Sequence, residues 1–332
     1  MRRFVFLLLC IASLTGCEQV LIPTDGDATP VENFEQLWHT VNEKYSFFGF
    51  KQVDWDSVYA VYRPQVKNDM NVVELFDVMA DMLFTLRDGH VNLRSQFDVS
   101  RNFDWYLNAP PNFNYDIVER NYLRDDYRIT GPFLNTAIDS VGYVYYGSFS
   151  SSVSEFHIDF IVNRFQNAKG LIFDVRNNGG GSLSNVRRIM SRFVKEKTLY
   201  AYWIYKSGPG RNEFSEPIPQ YIEPEGDYRY EKPVVILTNR QCFSATNDFV
   251  LAMSALPNVT IVGDTTGGGG GLPYHGELPN GWTYRFSVTS TLTPEGENVE
   301  FGIPPDVRVD IRAADAQRGR DTMLDRAIDL LQ

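Results

Sequence analysis

The stretch from Gly170 to Ser182, GLIFDVRNNGGGS, constrains this chain more than any other. Leu171, Ile172 and Phe173 form an apolar strand, Asp174 to Asn178 end it, and Leu183, Val186, Ile189, Met190 and Phe193 then recur at helical spacing. A strand is thus coupled to a helix through a turn of three glycines. Without Cβ atoms the backbone there can approach a reacting group closely, and N–H groups at a helix N-terminus point toward negative charge. Such a turn can form an oxyanion hole, cradle a phosphate, or simply join strand to helix.

A second strand, loop and helix unit spans 234–256, VVILTNRQCFSATNDFVLAMSAL, with Ser244 at the loop-to-helix junction. Ala245, Phe249, Ala252, Met253 and Leu256 fall at helical spacing, so the helix begins at or just beyond Ser244. A serine in that place is either an N-cap or a nucleophile. A nucleophile needs a base, and the chain holds four histidines: His39, His90, His157 and His275. His39 and His157 lie in amphipathic helical runs and read as helix-face residues. His275 follows the glycine loop 267–271 and is a candidate substrate contact. His90 stands in TLRDGHVNL, where the helical pattern Val72, Leu75, Phe76, Met79, Leu83, Leu86 breaks at Asp88-Gly89.

Six segments occur in an ordered series: LRDGH (86–90), GYVYYGSF (142–149), DVRNNGGG (174–181), SATNDF (244–249), VGDTTGG (262–268) and EFGIPPDV (300–307). In this series the chain resembles the S41 serine peptidases over roughly 30–332. The resemblance implies an α/β fold with a ClpP/crotonase-type core of ββα units, preceded by a small helical domain. It implies Ser244 as nucleophile and the amides around Gly179 and Gly180, with that of Ala245, as oxyanion hole. Gly268 and Gly269 would line the substrate cleft with His275, and no cofactor or metal is called for.

The family divides by its base. In the C-terminal processing branch a lysine follows the Gly-Thr-x-Gly segment, but no lysine occurs from Gly263 to Gly281 here. The tricorn-like branch uses a histidine in a DGH-type motif and a glutamate before the G-[IV]-x-P-D motif, matched here by His90 and Glu300. Imidazole, with an ordinary pKa near 6.5, can take the serine proton at neutral pH, and a carboxylate can orient it. Some tricorn-type enzymes relay histidine to glutamate through a serine that Gly89 replaces here. Whether Glu300 meets His90 directly, through water or not at all stays open, with Glu297 and Asp88 as weaker candidates for the orienting role.

Arg2 and Arg3, the apolar run Phe4 to Leu9, and Leu14-Thr15-Gly16-Cys17 read as a lipoprotein signal over 1–16, too short to span a membrane. Cys17 would be lipidated and anchor the chain to the cell envelope; Glu18 after it favours the outer membrane. Cys10 leaves with the signal and Cys242 stands alone, so no intramolecular disulfide is available. Cys242 reads as a small packed side chain.

Loss of Arg2 and Arg3 takes the formal net charge from −11 to −13, which argues against nucleic-acid binding. A hydrophobic content of 43% supports a large core. Residues 17–30 read as a tether, 31–90 as the helical domain and 91–332 as the catalytic core, without room for a complete PDZ domain. The expected activity is serine-type endopeptidase action on peptides or unfolded protein segments. The rival is a non-catalytic S41-like binding protein for an apolar ligand or peptide, its pocket built from aromatics such as Trp105, Tyr106, Tyr200, Tyr202, Trp203 and Tyr205. A purely structural lipoprotein would explain the anchor and none of the motifs.

Overall fold

The structure is a computed structural model that describes residues 28–102 and 108–332. The signal segment, Cys17 with all of the tether before Ala28, and Trp105 and Tyr106 lie outside the described residues.

Local sequence sets the helix starts of the N-terminal region. Helix α1 (Pro30–Lys44) opens where the Thr29 hydroxyl accepts the Glu32 N–H and Pro30 occupies a position that needs no donor. After the single turn α2 (Phe48–Lys51) and α3 (Trp55–Tyr62), helix α4 (Val72–Phe84) begins with a capping box of Asn71 and Glu74. Their apolar faces, Phe34, Leu37, Val41, Phe76, Met79 and Leu83 among them, do not close a core by themselves. They pack onto Trp282, Tyr284 and Phe286 of a small antiparallel sheet of order β1-β11-β10. Its strands are β1 (Asn92–Arg94), β10 (Pro273–Glu277) and β11 (Thr283–Ser287). The helical segment therefore shares one apolar cluster with residues far along the chain.

The larger body is a seven-stranded sheet of order β13-β9-β8-β5-β4-β3-β2. Here β2 (Arg128–Thr130) and β3 (Phe133–Ile138) are antiparallel at one edge, and β4 (Val141–Tyr145), β5 (Leu171–Asp174), β8 (Val234–Thr238), β9 (Val259–Gly263) and β13 (Val307–Arg308) run parallel. Helices α6 (Glu155–Phe165), α7 (Leu183–Met190) and α8 (Ala245–Ser254) follow β4, β5 and β8. Leu171 and Phe173 of β5 face the cluster built on these helices, while Ile172 between them faces Met323, Leu324 and Ala327 of α10 (Thr322–Leu331). Apolar side chains on both faces of β5 are what a covered parallel strand requires. Also present are the short helices α5 (Tyr115–Val118) and α9 (Ala313–Gln317), and a sheet of β12 (Thr289–Leu292), β6 (Thr198–Tyr205) and β7 (Ile218–Ile222). The architecture is the expected α/β core with a helical N-terminal region.

Two charged residues of the DVRNNGGG segment are structural. Arg176, fully buried, holds Asp174 through Nε at 2.9 Å and Nη2 at 2.6 Å, and reaches Asp321, the N-cap of α10, at 2.8 Å. Tyr143 donates to the same Asp174 at 2.9 Å. This network clamps the base of the glycine turn to the C-terminal helix.

Candidate active site

Ser244 ends the loop after β8 with φ 58° and ψ −120°, a conformation that costs a non-glycine residue roughly 1–3 kcal/mol. The surrounding backbone imposes it. The Ser244 N–H donates to Gly268 O at 2.8 Å, and the Phe243 N–H donates to Asn178 O at 3.1 Å. The hydroxyl makes no capping bond to α8, which removes the N-cap reading of the side chain. Its Oγ instead stands 2.9 Å from His90 Nε2.

His90 is placed by its own loop and by a strand. Its N–H donates to Asp88 Oδ1 at 2.7 Å, its carbonyl accepts from Arg285 Nε at 3.0 Å, and its ring packs 4.8 Å from that of Phe243. Burial lowers the imidazole pKa from its ordinary value to about 4, against the pull of the Asp88 carboxylate, while Arg285, Lys51 and His275 add to the lowering. The ring is thus neutral through the physiological range. Nδ1 is buried and makes no hydrogen bond to the described protein.

Glu300, fully buried, does not touch Nδ1. Its Oε1 takes the Lys51 ammonium at 2.7 Å and its Oε2 accepts the Gly270 N–H at 2.9 Å. Lys51 stands 3.6 Å from Asp88 Oδ2, which also accepts the Tyr45 hydroxyl at 3.1 Å. One buried lysine therefore bridges the carboxylate that shapes the His90 turn and the carboxylate expected to orient the base. Burial raises the Glu300 pKa, with Lys51 opposing. Burial also pushes Asp88 upward, but the charges of Lys51 and His90 and the bonds from the His90 N–H and Tyr45 outweigh it and hold the carboxyl low. Glu297 is exposed and takes no part in this cluster.

The glycine turn divides its labour. Gly180 has φ 97°, and a Cβ there would lie 2.9 Å from Ser244 Cβ and 2.5 Å from Phe243 O, so the residue exists for close approach. Its N–H is committed to Asn178 Oδ1 at 3.0 Å. The N–H groups of Gly179 and Ala245 have no acceptor among the described residues, and both residues line the cleft over Ser244. Asn178 is the hub, since its Oδ1 also accepts from Phe149 N and Thr246 Oγ1 while its Nδ2 donates to Tyr146 O.

The cleft, about 510 Å³, is lined by Ser244, His90, the turn 179–181, Gly269 and Arg285, among others. Gly268 lies behind it, where its carbonyl holds Ser244 and a Cβ would come within 1.9 Å of Glu300 O. His275 is exposed on β10 opposite Arg285, and it does not line the cleft. Cys242 is buried, with its thiol on Val175 O at 3.0 Å and its pKa pushed by burial to about 12. Among the described residues no cluster of three or more His, Cys, Asp or Glu could hold a metal ion. Sequence reasoning missed Lys51 and Asn178. The signal for Lys51 was a lone cation inside the aromatic run YSFFGFK, and that for Asn178 was its place directly before the three glycines.

A serine at positive φ at the head of a helix, a neutral imidazole on its oxygen and two amides beside it without an acceptor among the described residues make up the nucleophile geometry of a serine hydrolase. Residues 140–309 match the family model Peptidase family S41, and residues 27–84 match the Tricorn protease C1 domain. The chain belongs to peptidase family S41. It aligns at TM-score 0.88 and 50% identity with a Parabacteroides merdae protein solved as a candidate peptidase, covering 92% of this chain and 97% of that one. The fold is also that of mature CPAF complexed with lactacystin, at TM-score 0.68 and 12% identity over 91% of this chain and 97% of that one. Carboxy-terminal processing protease CtpA of Bacillus subtilis is 25% identical over 196 residues, 58% of this chain and 40% of that protein. The chain spans 34–44% of the length of the first three curated relatives it matches.

Proposed function

We propose that the chain is a serine endopeptidase that cleaves peptides or unfolded protein segments through an acyl-enzyme. The observation that carries this reading is the 2.9 Å approach of His90 Nε2 to the oxygen of a serine held at φ 58°. Ser244 Oγ attacks the scissile carbonyl as His90 Nε2 takes its proton, and the oxyanion forms against the Gly179 and Ala245 N–H groups. Collapse breaks the C–N bond, with His90 returning the proton to the leaving amine. Water then repeats the sequence on the ester and frees Ser244. The imidazolium that arises in each half is favoured by the Asp88 carboxylate and opposed by Lys51 and Arg285, while the buried cluster of Asp88, Lys51 and Glu300 fixes the loop that carries it. Glu300 acts through this cluster.

A fluorophosphonate probe tests the proposal. Labelling of wild type that is lost in Ser244→Ala and strongly slowed in His90→Ala is the expected result. An unlabelled wild type that retains an apolar ligand would instead favour the binding-protein alternative. We further propose that residues 1–16 are a lipoprotein signal and that lipidated Cys17 tethers the enzyme to the cell envelope, at the outer membrane. The basis is the sequence pattern from Arg2 to Cys17.

A further inference from the structure

Asp248 is a charged residue in the cleft that the steps above leave unused. It lies one helical turn beyond Ser244 in the first turn of α8, its N–H donating to Ser244 O at 3.0 Å. With Leu183, Trp203 and Val299 it lines the cleft that holds the nucleophile. Its one side-chain hydrogen bond among the described residues is a long contact from Tyr200 OH to Oδ2, at 3.4 Å. No described cation forms an ion pair with it; Arg187 on α7 acts on it only from beyond that distance. Burial raises the carboxyl to about 7, against Arg187 and the Tyr200 bond. The carboxylate is half-buried on the cleft wall, and among the described residues it has no ion-pair partner and Oδ1 makes no hydrogen bond, so it is open to a cation that enters the cleft.

We propose that Asp248 is a specificity-determining residue that receives the ammonium or guanidinium of a lysine or arginine side chain on the acyl side of the scissile bond. Leu183, Trp203 and Val299, which line the cleft beside it, accommodate the aliphatic stem. The residue whose carbonyl is attacked must set its side chain beside Ser244, and Asp248 stands on the helix that begins directly after the nucleophile. The inference rests on the peptidase reading of Ser244 and His90.

The test uses matched peptides that differ only at that position, with lysine, norleucine or glutamate. In wild type kcat/KM should favour lysine over norleucine by about tenfold or more, with glutamate poorest. Asp248→Asn should bring the lysine-to-norleucine ratio to about one, and Asp248→Glu should keep lysine ahead; thermal unfolding of each variant checks the fold. Affinities of the same peptides for Ser244→Ala and for Ser244→Ala/Asp248→Asn form a second arm that needs no turnover. A lysine preference in binding that the Asp248 change abolishes upholds the pocket even if wild type neither cleaves nor takes the fluorophosphonate, an outcome that sinks the peptidase reading alone. A ratio near one in wild type, or one that Asp248→Asn leaves unchanged, overturns the proposal and leaves Asp248 as a carboxylate that complements the positive end of α8.

Discussion

At the scale of single residues, the Ser244 hydroxyl does not cap α8, and its one hydrogen-bond contact among the described residues is with His90. Ser244→Ala should therefore lower peptide turnover by about 10³-fold or more, while urea unfolding shifts by no more than about 0.5 kcal/mol. Retained turnover in purified mutant would remove Ser244 from the mechanism. The pH profile follows from the burial of His90. An unperturbed imidazole would place the acid limb of kcat/KM near 6.5, whereas burial lowers this ring to about 4. Because the folded value is depressed, the base form persists as pH falls below 6.5, and activity is lost only as pH approaches the folded value. Over the same window the unfolded chain takes up a proton that the folded ring refuses, so stability declines as pH drops below about 6.5. A measured limb near 6.5 that Glu300→Gln leaves in place would show that the ring does not feel its burial. A limb that moves with Glu300→Gln belongs to that carboxyl, whose pKa burial raises.

At the scale of elements, the single turn α2 carries Lys51 into the space between the His90 loop and the Glu300 loop. Lys51→Met would leave two buried carboxyls without their shared cation and should destabilise the fold by about 3–5 kcal/mol. Adding Glu300→Gln should recover part of that loss, because one of the two stranded charges is gone. Equal unfolding free energies for the single and double variants would mean that Lys51 does not act through Glu300. The glycine turn makes a second, steric prediction. Gly180→Ala forces a Cβ against Phe243 O and Ser244 at a positive φ, whereas a Cβ on Gly179 meets nothing within 4 Å. Gly180→Ala should therefore lower the melting temperature by several degrees more than Gly179→Ala. Comparable melting temperatures would place the turn farther from Ser244 than the structure has it.

At the scale of the whole molecule, the site is closed by parts that are remote in sequence. The helical region supplies Lys51 and Tyr45, the loop after α4 supplies His90, the sheet supplies the turn and Ser244, and the segment before β13 supplies Glu300. The apolar cluster shared between α1, α4 and β11 is what holds the first of these against the rest. The proposed anchor belongs to this scale as well. Cys17→Ser should release the full chain from washed membranes into the aqueous phase of a detergent partition, since the thioether needs the thiol. Unchanged partitioning would argue that Cys17 is not lipidated.

Strand-to-helix junctions at the glycine turn and at Ser244 were legible because apolar periodicity and missing Cβ atoms are local properties, written residue by residue in 170–182 and 234–256. The choice of His90 over the other histidines was legible only through the ordered segments, since periodicity says that a helix stops at Asp88-Gly89 and not what lies opposite. What Ser244 does with its hydroxyl depended on a backbone φ fixed by Gly268 and Asn178, residues far from it in sequence. The role of Lys51 was invisible for the same reason: a lysine among phenylalanines carries no signal of which carboxylates will be buried beside it. Gly180, read as an oxyanion donor, gives its N–H to Asn178, and the amides of Gly179 and Ala245 have no acceptor among the described residues. Sequence determines which backbone can turn and which side chains can react. Only the packed chain decides which donors remain unpaired and which charges share a buried space, because both are properties of neighbours that the linear order does not name.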